Sequence, residues 1–187
     1  MLVLFGYLIA AVTGLLLLIF CIYLIMYLFK KKAFPKKLLI ATLSGLVIMS
    51  SIYIYEVYLF TFDRIDRESL QEGMGPITSP TDLYSATTYY EPYGGAAGGI
   101  NVWVELTKHN DNDEKKIIYY SKENGTVLIE WVDEDRLYIR NESRNQPDIF
   151  NDSIELDVEK EIYHDKGFAC KSWFMKNEYE TCLQREN

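Results

Sequence analysis

Between Leu2 and Phe29 the chain runs 28 residues without a charged side chain, and between Leu38 and Tyr55 it runs another 18. A helix needs roughly 20 mostly apolar residues to cross a hydrocarbon core of about 30 Å. The first stretch exceeds that length, and the second reaches it by continuing through Val57, Tyr58, Leu59 and Phe60. In lipid the backbone finds no water, so each stretch has to be helical. The core helix of a soluble protein is shorter and carries a polar face, which neither stretch has. A signal peptide has a basic start and about 7–15 apolar residues. Nothing basic precedes Leu2 and the stretch is about twice too long, so the segment is expected to stay on the protein. Two transmembrane helices are therefore the first expectation.

Lys30, Lys31, Lys32, Lys36 and Lys37 crowd the connection 30–37. Short basic loops resist translocation, which places this connection in the cytoplasm. Both termini and everything after residue 62 then lie outside, in a multi-pass protein of the plasma membrane. Glu56, about 27 Å along the axis from Leu38 at ~1.5 Å per residue, falls at the outer headgroups and is read as solvated. Gly6, Ala10 and Gly14 recur every four residues, a small-residue stripe that lets another helix approach closely. Ala41 and Gly45 form a second pair, expected at the opposite depth of an antiparallel hairpin, with Ser50 and Ser51 level with the stripe. A small-residue face would then be left for a second copy of the chain or another membrane protein.

After residue 62 the chemistry changes. The remaining residues hold 14 Lys/Arg against 26 Asp/Glu, a formal charge of −12. That balance argues against a nucleic-acid binder, which needs a basic footprint. Residues 63–80, polar with Gly73, Gly75, Pro76 and Pro80, read as a stalk or linker. Leu83–Tyr90 has the branched and aromatic residues of a strand, and the Gly94–Gly99 run breaks it. Ile100, Val102, Val104 and Leu106 alternate with Asn101, Trp103, Glu105 and Thr107 as a half-buried strand does. Strands are expected at Lys115–Tyr120, Thr126–Val132, Arg136–Arg140 and Ile154–Val158, with Asn124-Gly125 as a hairpin signal. Short strands at this spacing predict a small antiparallel β-rich domain, all-β or α+β, over 81–165. Trp173, Phe174 and Tyr179 suggest that the Cys-bearing tail, 166–187, packs on it.

Ser79-Pro80 with Tyr84 beyond Thr81, the Gly94-Gly95 break, Val102–Leu106, Ile118–Tyr120 and Ile129-Glu130-Trp131-Val132-Asp133 followed by Leu137-Tyr138-Ile139 are similar to the domain of unknown function 5412 family. The resemblance covers roughly 79–165. It implies a small Gram-positive bacterial protein with a membrane anchor and one short β-rich domain, and it implies no activity and no functional residues. The two-span anchor and the Cys-bearing tail depart from that plan.

Candidate chemistry is sparse. Cys21 lies in the first apolar stretch as a filler. Cys170 and Cys182, outside by this topology, form a disulfide on the first reading and stay free thiols on the second. Zinc needs about four ligands, and only His109 and His164 could join them, without compact spacing; no metal and no cofactor are expected. Asp133-Glu134-Asp135 lacks the spacing of a calcium loop and reads as a solvated turn. No Gly-x-Ser-x-Gly, His-Glu-x-x-His or phosphate loop is present, so a non-enzyme is expected. The leading expectation is an extracytoplasmic binding module for a cationic peptide, protein or wall component, using exposed aromatic and acidic side chains: Trp103 with Asp133, Glu134 and Asp135. The alternative is a regulatory or immunity-type accessory subunit acting through its helices. The bilayer, a protein or peptide partner and a second copy of the chain are the expected partners.

Overall fold

A computed structural model of the protein describes residues 2–30, 33–62, 70–95, 98–109, 113–143, 145–146 and 151–185. Lys31, Lys32 and the first part of the expected stalk, 63–69, lie outside the described residues. The chain divides into two units, Met1–Val57 and Tyr58–Asn187.

The first unit holds two helices, α1 (Leu2–Lys30) and α2 (Lys36–Tyr58). Pro35 stands immediately before α2, where its fixed φ and missing N–H cost nothing. Both helices are long and apolar enough to cross a membrane by length and composition. Their hydroxyls are satisfied internally: Thr42 Oγ1 donates to the Leu38 carbonyl at 2.8 Å and Ser51 Oγ to that of Val47 at 2.9 Å. Thr13 and Thr42 are the buried polar residues of this unit among those described. The helices approach closely at Gly45, where a Cβ would stand 2.5 Å from Thr13 Oγ1. Many large side chains point away from the partner helix; Leu8, Leu15, Leu18, Ile40 and Val47 are each more than half exposed.

The second unit is built from two sheets. The larger runs in the order β1 (Gln71–Glu72), β3 (Tyr84–Tyr93), β4 (Gly99–Lys108), β5 (Glu114–Lys122), β9 (Glu161–His164), β10 (Thr181–Leu183), with β2 (Ile77–Thr78) also paired to β3. The smaller is β6 (Val127–Trp131), β7 (Arg136–Asn141), β8 (Ile154–Asp157). β3 and β4 form a long hairpin, paired from Tyr84↔Lys108 to Tyr93↔Gly99. Val102, Val104 and Leu106 face the smaller sheet and meet Ile129, Leu137, Ile139 and Leu156 in the main core. A bulge between Val104 and Glu105 shifts the β4–β5 register, leaving Ile118 as the extra residue beside Tyr119 in that core.

The opposite face of the large sheet carries Trp103, Ile117 and Ile162. It is covered by Phe60 and Phe62, which follow α2, and by the tail, through Ala169 of the short helix α3 (Phe168–Lys171), Met175, Tyr179 and Cys182. Leu70 packs on this cluster too, and β1 and β2 extend the sheet edge, so 70–80 of the expected stalk is built into the domain.

Two expectations are corrected. The domain is not purely antiparallel: β9 lies parallel to β5, and β10 parallel to β9. The tail reaches β10 through α3 and a 3₁₀ turn at Met175–Asn177, the kind of crossover that parallel neighbours require. Asn124-Gly125 does not close a hairpin, since β5 and β6 belong to different sheets. The Asn124 backbone N–H donates to Asn141 Oδ1 at 2.8 Å and its side-chain amide to Asp152 at 2.6 Å. Those bonds carry the chain across to the second sheet.

Candidate functional site

The candidate site gathers around Tyr84, the first residue of β3. The Ser79–Tyr84 turn holds it there: the Ser79 N–H donates to the Tyr84 carbonyl at 2.8 Å, and the Tyr84 N–H donates to Ser79 Oγ at 3.2 Å. Ser79 is buried, and Asp82 inside the turn adopts φ 59°, a conformation Asp tolerates better than most residues. The Ser-Pro-x-x-x-Tyr pattern is thus the clamp that aims this tyrosine. Its ring stacks on Trp131 at 6.3 Å, and the Trp131 indole donates to the Ile77 carbonyl at 2.9 Å.

The Tyr84 hydroxyl donates to Glu159, in the β8–β9 turn. Lys108 Nζ lies 3.6 Å from the same carboxylate and 5.6 Å from the Tyr84 ring centre. The tyrosine hydrogen bond, reinforced by Lys108 against the effect of burial, holds the Glu159 carboxyl below its ordinary range. Burial and then Glu159 push the Tyr84 phenol up. At neutral pH the pair is a hydroxyl donor and a fixed carboxylate.

Beside it stands the β6–β7 turn. Asp133 Oδ1 accepts the N–H groups of Asp135 at 3.3 Å and Arg136 at 2.9 Å, so this side chain shapes the turn. Arg136 pairs with Glu155 at 2.8 Å. The Asp135 carbonyl accepts the Val158 N–H at 2.9 Å, which ties the two turns together. Between them lies a shallow cavity of about 500 Å³ lined by Thr81, Leu83, Tyr84, Asp133, Glu134, Asp135 and Glu159. Leu83 is 53% exposed at its edge, so the shelf gathers an apolar contact and four carboxylates, of which Asp133 is engaged by its turn and Arg136, and Glu159 by Tyr84 and Lys108. A cleft of about 710 Å³ shares Tyr84 and Glu159 with the shelf and brings in Lys108, Lys115 and Lys116. Lys115 is paired with Glu105 at 3.2 Å, and Lys116 donates to the Glu178 carbonyl.

Trp103 does not join this site. It is 7% exposed, on the tail-covered face of the large sheet, with its ring 4.1 Å from that of Tyr120 and 6.0 Å from that of Phe62. Alternation pointed it away from Val102 and Val104, and the covering segments that bury it were not visible in the strand itself. In the helices, a methyl group added at Gly6 or at Gly14 would meet no atom within 4 Å; Gly14 is exposed, Ala10 is half-buried, and the close approach falls to Gly45 instead. Gly45 is level with Thr13, next to Gly14, and not at the opposite depth. Lys36 and Lys37 are exposed at the start of α2. Cys170 and Cys182 form a disulfide with Cα atoms 5.2 Å apart, and Cys21 is free and exposed. Among the described residues no cluster of three or more His, Cys, Asp or Glu has metal-binding geometry. Sequence reasoning missed Tyr84, Lys108 and Glu159 as a group, because three separate strands and turns supply them.

A pair of long apolar helices ahead of a two-sheet β-rich domain with an acidic shelf is the class that fold and site define. The chain matches the Family of unknown function (DUF5412) over residues 35–166 and belongs to it. The match begins just before α2, so that helix lies within the family's extent, a longer reach than the strand motifs alone indicated. Helix α1 and the disulfide-bearing tail fall outside the matched residues. No curated protein and no solved structure matches the chain.

Proposed function

We propose that this is a non-catalytic, membrane-anchored extracytoplasmic binding module whose acidic shelf takes a cationic peptide, protein or wall component. The observation that carries the reading is the convergence of Asp133, Glu134, Asp135 and Glu159 around one cavity, next to exposed Leu83. A formal −12 on the domain adds attraction for cations over about a Debye length, ~8 Å at physiological salt. The anchor is supported by the length of α1 and α2 and by their outward apolar side chains. A soluble protein would bury such helices, whereas lipid covers them as they stand. The lysines at 30–37 favour a cytoplasmic connection and an outer domain.

The test is binding of a lysine-rich peptide to the full chain in lipid nanodiscs, by calorimetry at low and physiological salt. The variant Asp133→Asn/Glu134→Gln/Asp135→Asn should bind at least about tenfold more weakly, since losing ~1.4 kcal/mol is tenfold. Equal affinity would remove the shelf as the site. A second reading, an accessory subunit acting through its helices, is favoured by the open space at Gly6 and Gly14. Replacing Gly6, Ala10 and Gly14 with Leu should abolish complex formation on that reading and leave peptide binding intact on the first.

A further inference from the structure

Trp173 and Phe174 are the most exposed large apolar side chains of the second unit among the described residues, at 60% and 58%, and they are consecutive. They are not loosely held. Ser172, fully buried, donates through Oγ to the Phe60 carbonyl at 2.6 Å and accepts the N–H groups of Phe174 and Met175 at 3.2 and 3.4 Å. The Trp173 N–H donates to the Tyr58 carbonyl at 2.9 Å, and the two rings lie 5.5 Å apart. The Cys170–Cys182 disulfide closes the loop that carries them.

Tyr58 is the last residue of α2. From Lys36 to Tyr58 the helix rises about 33 Å at ~1.5 Å per residue, slightly more than the ~30 Å hydrocarbon core. With the lysines at one headgroup layer, Tyr58 stands at the other. Whatever bonds to its carbonyl is at the depth where Trp and other amphipathic aromatics are most favoured. Lys171 and Lys176 flank the pair, and lysines at that depth keep their ammonium groups among the headgroups.

We propose that Trp173 and Phe174 are an interfacial lipid anchor, seating the disulfide-closed tail in the headgroup layer of the membrane that α2 crosses. The inference rests on the membrane reading above. Solvent exposure of two adjacent rings on an otherwise rigid loop is explained by their partner being lipid.

The experiment uses the full chain reconstituted in vesicles of phosphatidylcholine and phosphatidylglycerol, with and without acyl chains brominated close to the headgroup. Trp173 is one of three tryptophans, and Trp103 is buried in the core. Roughly one third of the indole emission should be quenched by the brominated lipid, and Trp173→Phe should lose that quenched fraction. Trp173→Phe/Phe174→Trp should restore it, and a near-ultraviolet circular dichroism spectrum like the parent's shows that the variants fold. Quenching that is unchanged in Trp173→Phe, in chains that alkaline carbonate leaves in the vesicles, would overturn the lipid anchor alone. Release of the chain by carbonate would overturn the membrane reading and the anchor with it.

Discussion

Asp152→Ala should unfold the β domain more readily than any surface substitution, and the reason is a buried network centred on one carboxylate. Asp152 has a fully buried side chain, and it accepts from Tyr163 Oη at 2.6 Å, Ser121 Oγ at 2.8 Å, Asn124 Nδ2 at 2.6 Å and Arg185 Nε at 2.7 Å. Its backbone carbonyl accepts the Tyr119 hydroxyl at 2.9 Å, and Tyr119 in turn accepts from Asn141 Nδ2 at 2.9 Å. Removing the carboxylate strands these donors. Breaking a buried ion pair from one side costs about 3–5 kcal/mol, but the Arg185 side chain is 37% exposed and recovers some hydration. The buried Ser121 and Tyr163 hydroxyls recover little, at roughly 1–3 kcal/mol each if left unpaired. A net loss of about 3.5 kcal/mol is the expectation. With an unfolding entropy of ~2.1 cal/mol/K per residue over about 130 residues, Tm falls by about 13 °C. The pH dependence adds a second signature. Burial alone would raise the Asp152 pKa, yet the bonds from Arg185, Tyr163, Ser121 and Asn124 outweigh it and hold the carboxyl below its ordinary range. A depressed carboxyl contributes stability that is complete above the unfolded value of ~3.9 and lost as pH falls through the folded one. The gap between parent and Asp152→Ala should therefore be widest at neutral pH and narrow in acid. Thermal melts of the full chain in detergent micelles, followed by near-ultraviolet circular dichroism, read both effects. A Tm within about 3 °C of the parent at pH 7, under 1 kcal/mol on the same scale, would refute the network as a stabilising unit.

Other substitutions test other parts of the molecule. Replacing Cys170 and Cys182 with Ala frees a loop with a sequence separation of 12, worth about 2.8 kcal/mol in chain entropy and a Tm shift of about 10 °C; a reductant should lower the parent by a similar amount. Gly45→Ala puts a methyl against Thr13 and should cost about 1–3 kcal/mol of helix–helix packing, whereas Gly14→Ala, facing open space, should not; interhelical spin-label distances distinguish them. His164 is buried against Phe60, Phe62, Tyr120 and Phe168, with Nδ1 3.3 Å from Asp165 and 3.2 Å from the Lys166 N–H. Burial pushes its imidazole below the ordinary value despite Asp165, so its contribution is complete above ~6.5 and declines as pH falls, by at most about 1.4 kcal/mol per pH unit. His164→Phe should flatten the melting temperature between neutral and mildly acidic pH, and a variant with the parent's slope would rule this out.

Strand cores were legible because alternation is a local property. Val102, Val104 and Leu106 announce β4 wherever that strand ends up, and the charge-free runs announce α1 and α2. The parallel strands were not legible: Glu161–His164 is four residues, too short for alternation to register, and its pairing with β5 depends on a return from the second sheet. Asp152 was equally silent. In the polar run Asn151-Asp152-Ser153 it reads as loop, since the sequence shows the cost of burying a carboxylate but not the partners that offset it from β5, β9 and beyond β10. The acidic site divided the same way. Asp133, Glu134 and Asp135 are contiguous and visible, while Glu159, Tyr84 and Lys108 are contributed by three distant positions and meet only in the fold.

The tail shows where stabilisation is concentrated. The tail's share of the cover over the second face of the large sheet is Ala169, Met175, Tyr179 and Cys182, whose burial supplies a few kcal/mol at ~25 cal/mol/Å². Yet the same segment is also hydrogen-bonded as β10, closed by a disulfide, held at its far end by Arg185 on Asp152, and held at its near end by Ser172 on Phe60. Restraints of this kind matter where a small group must be kept at a fixed place. The segment they enclose carries Trp173 and Phe174, two rings left in solvent beside the residue at which α2 ends. On the lipid-anchor proposal, the order of the tail serves the presentation of its tip as well as the protection of the sheet beneath it.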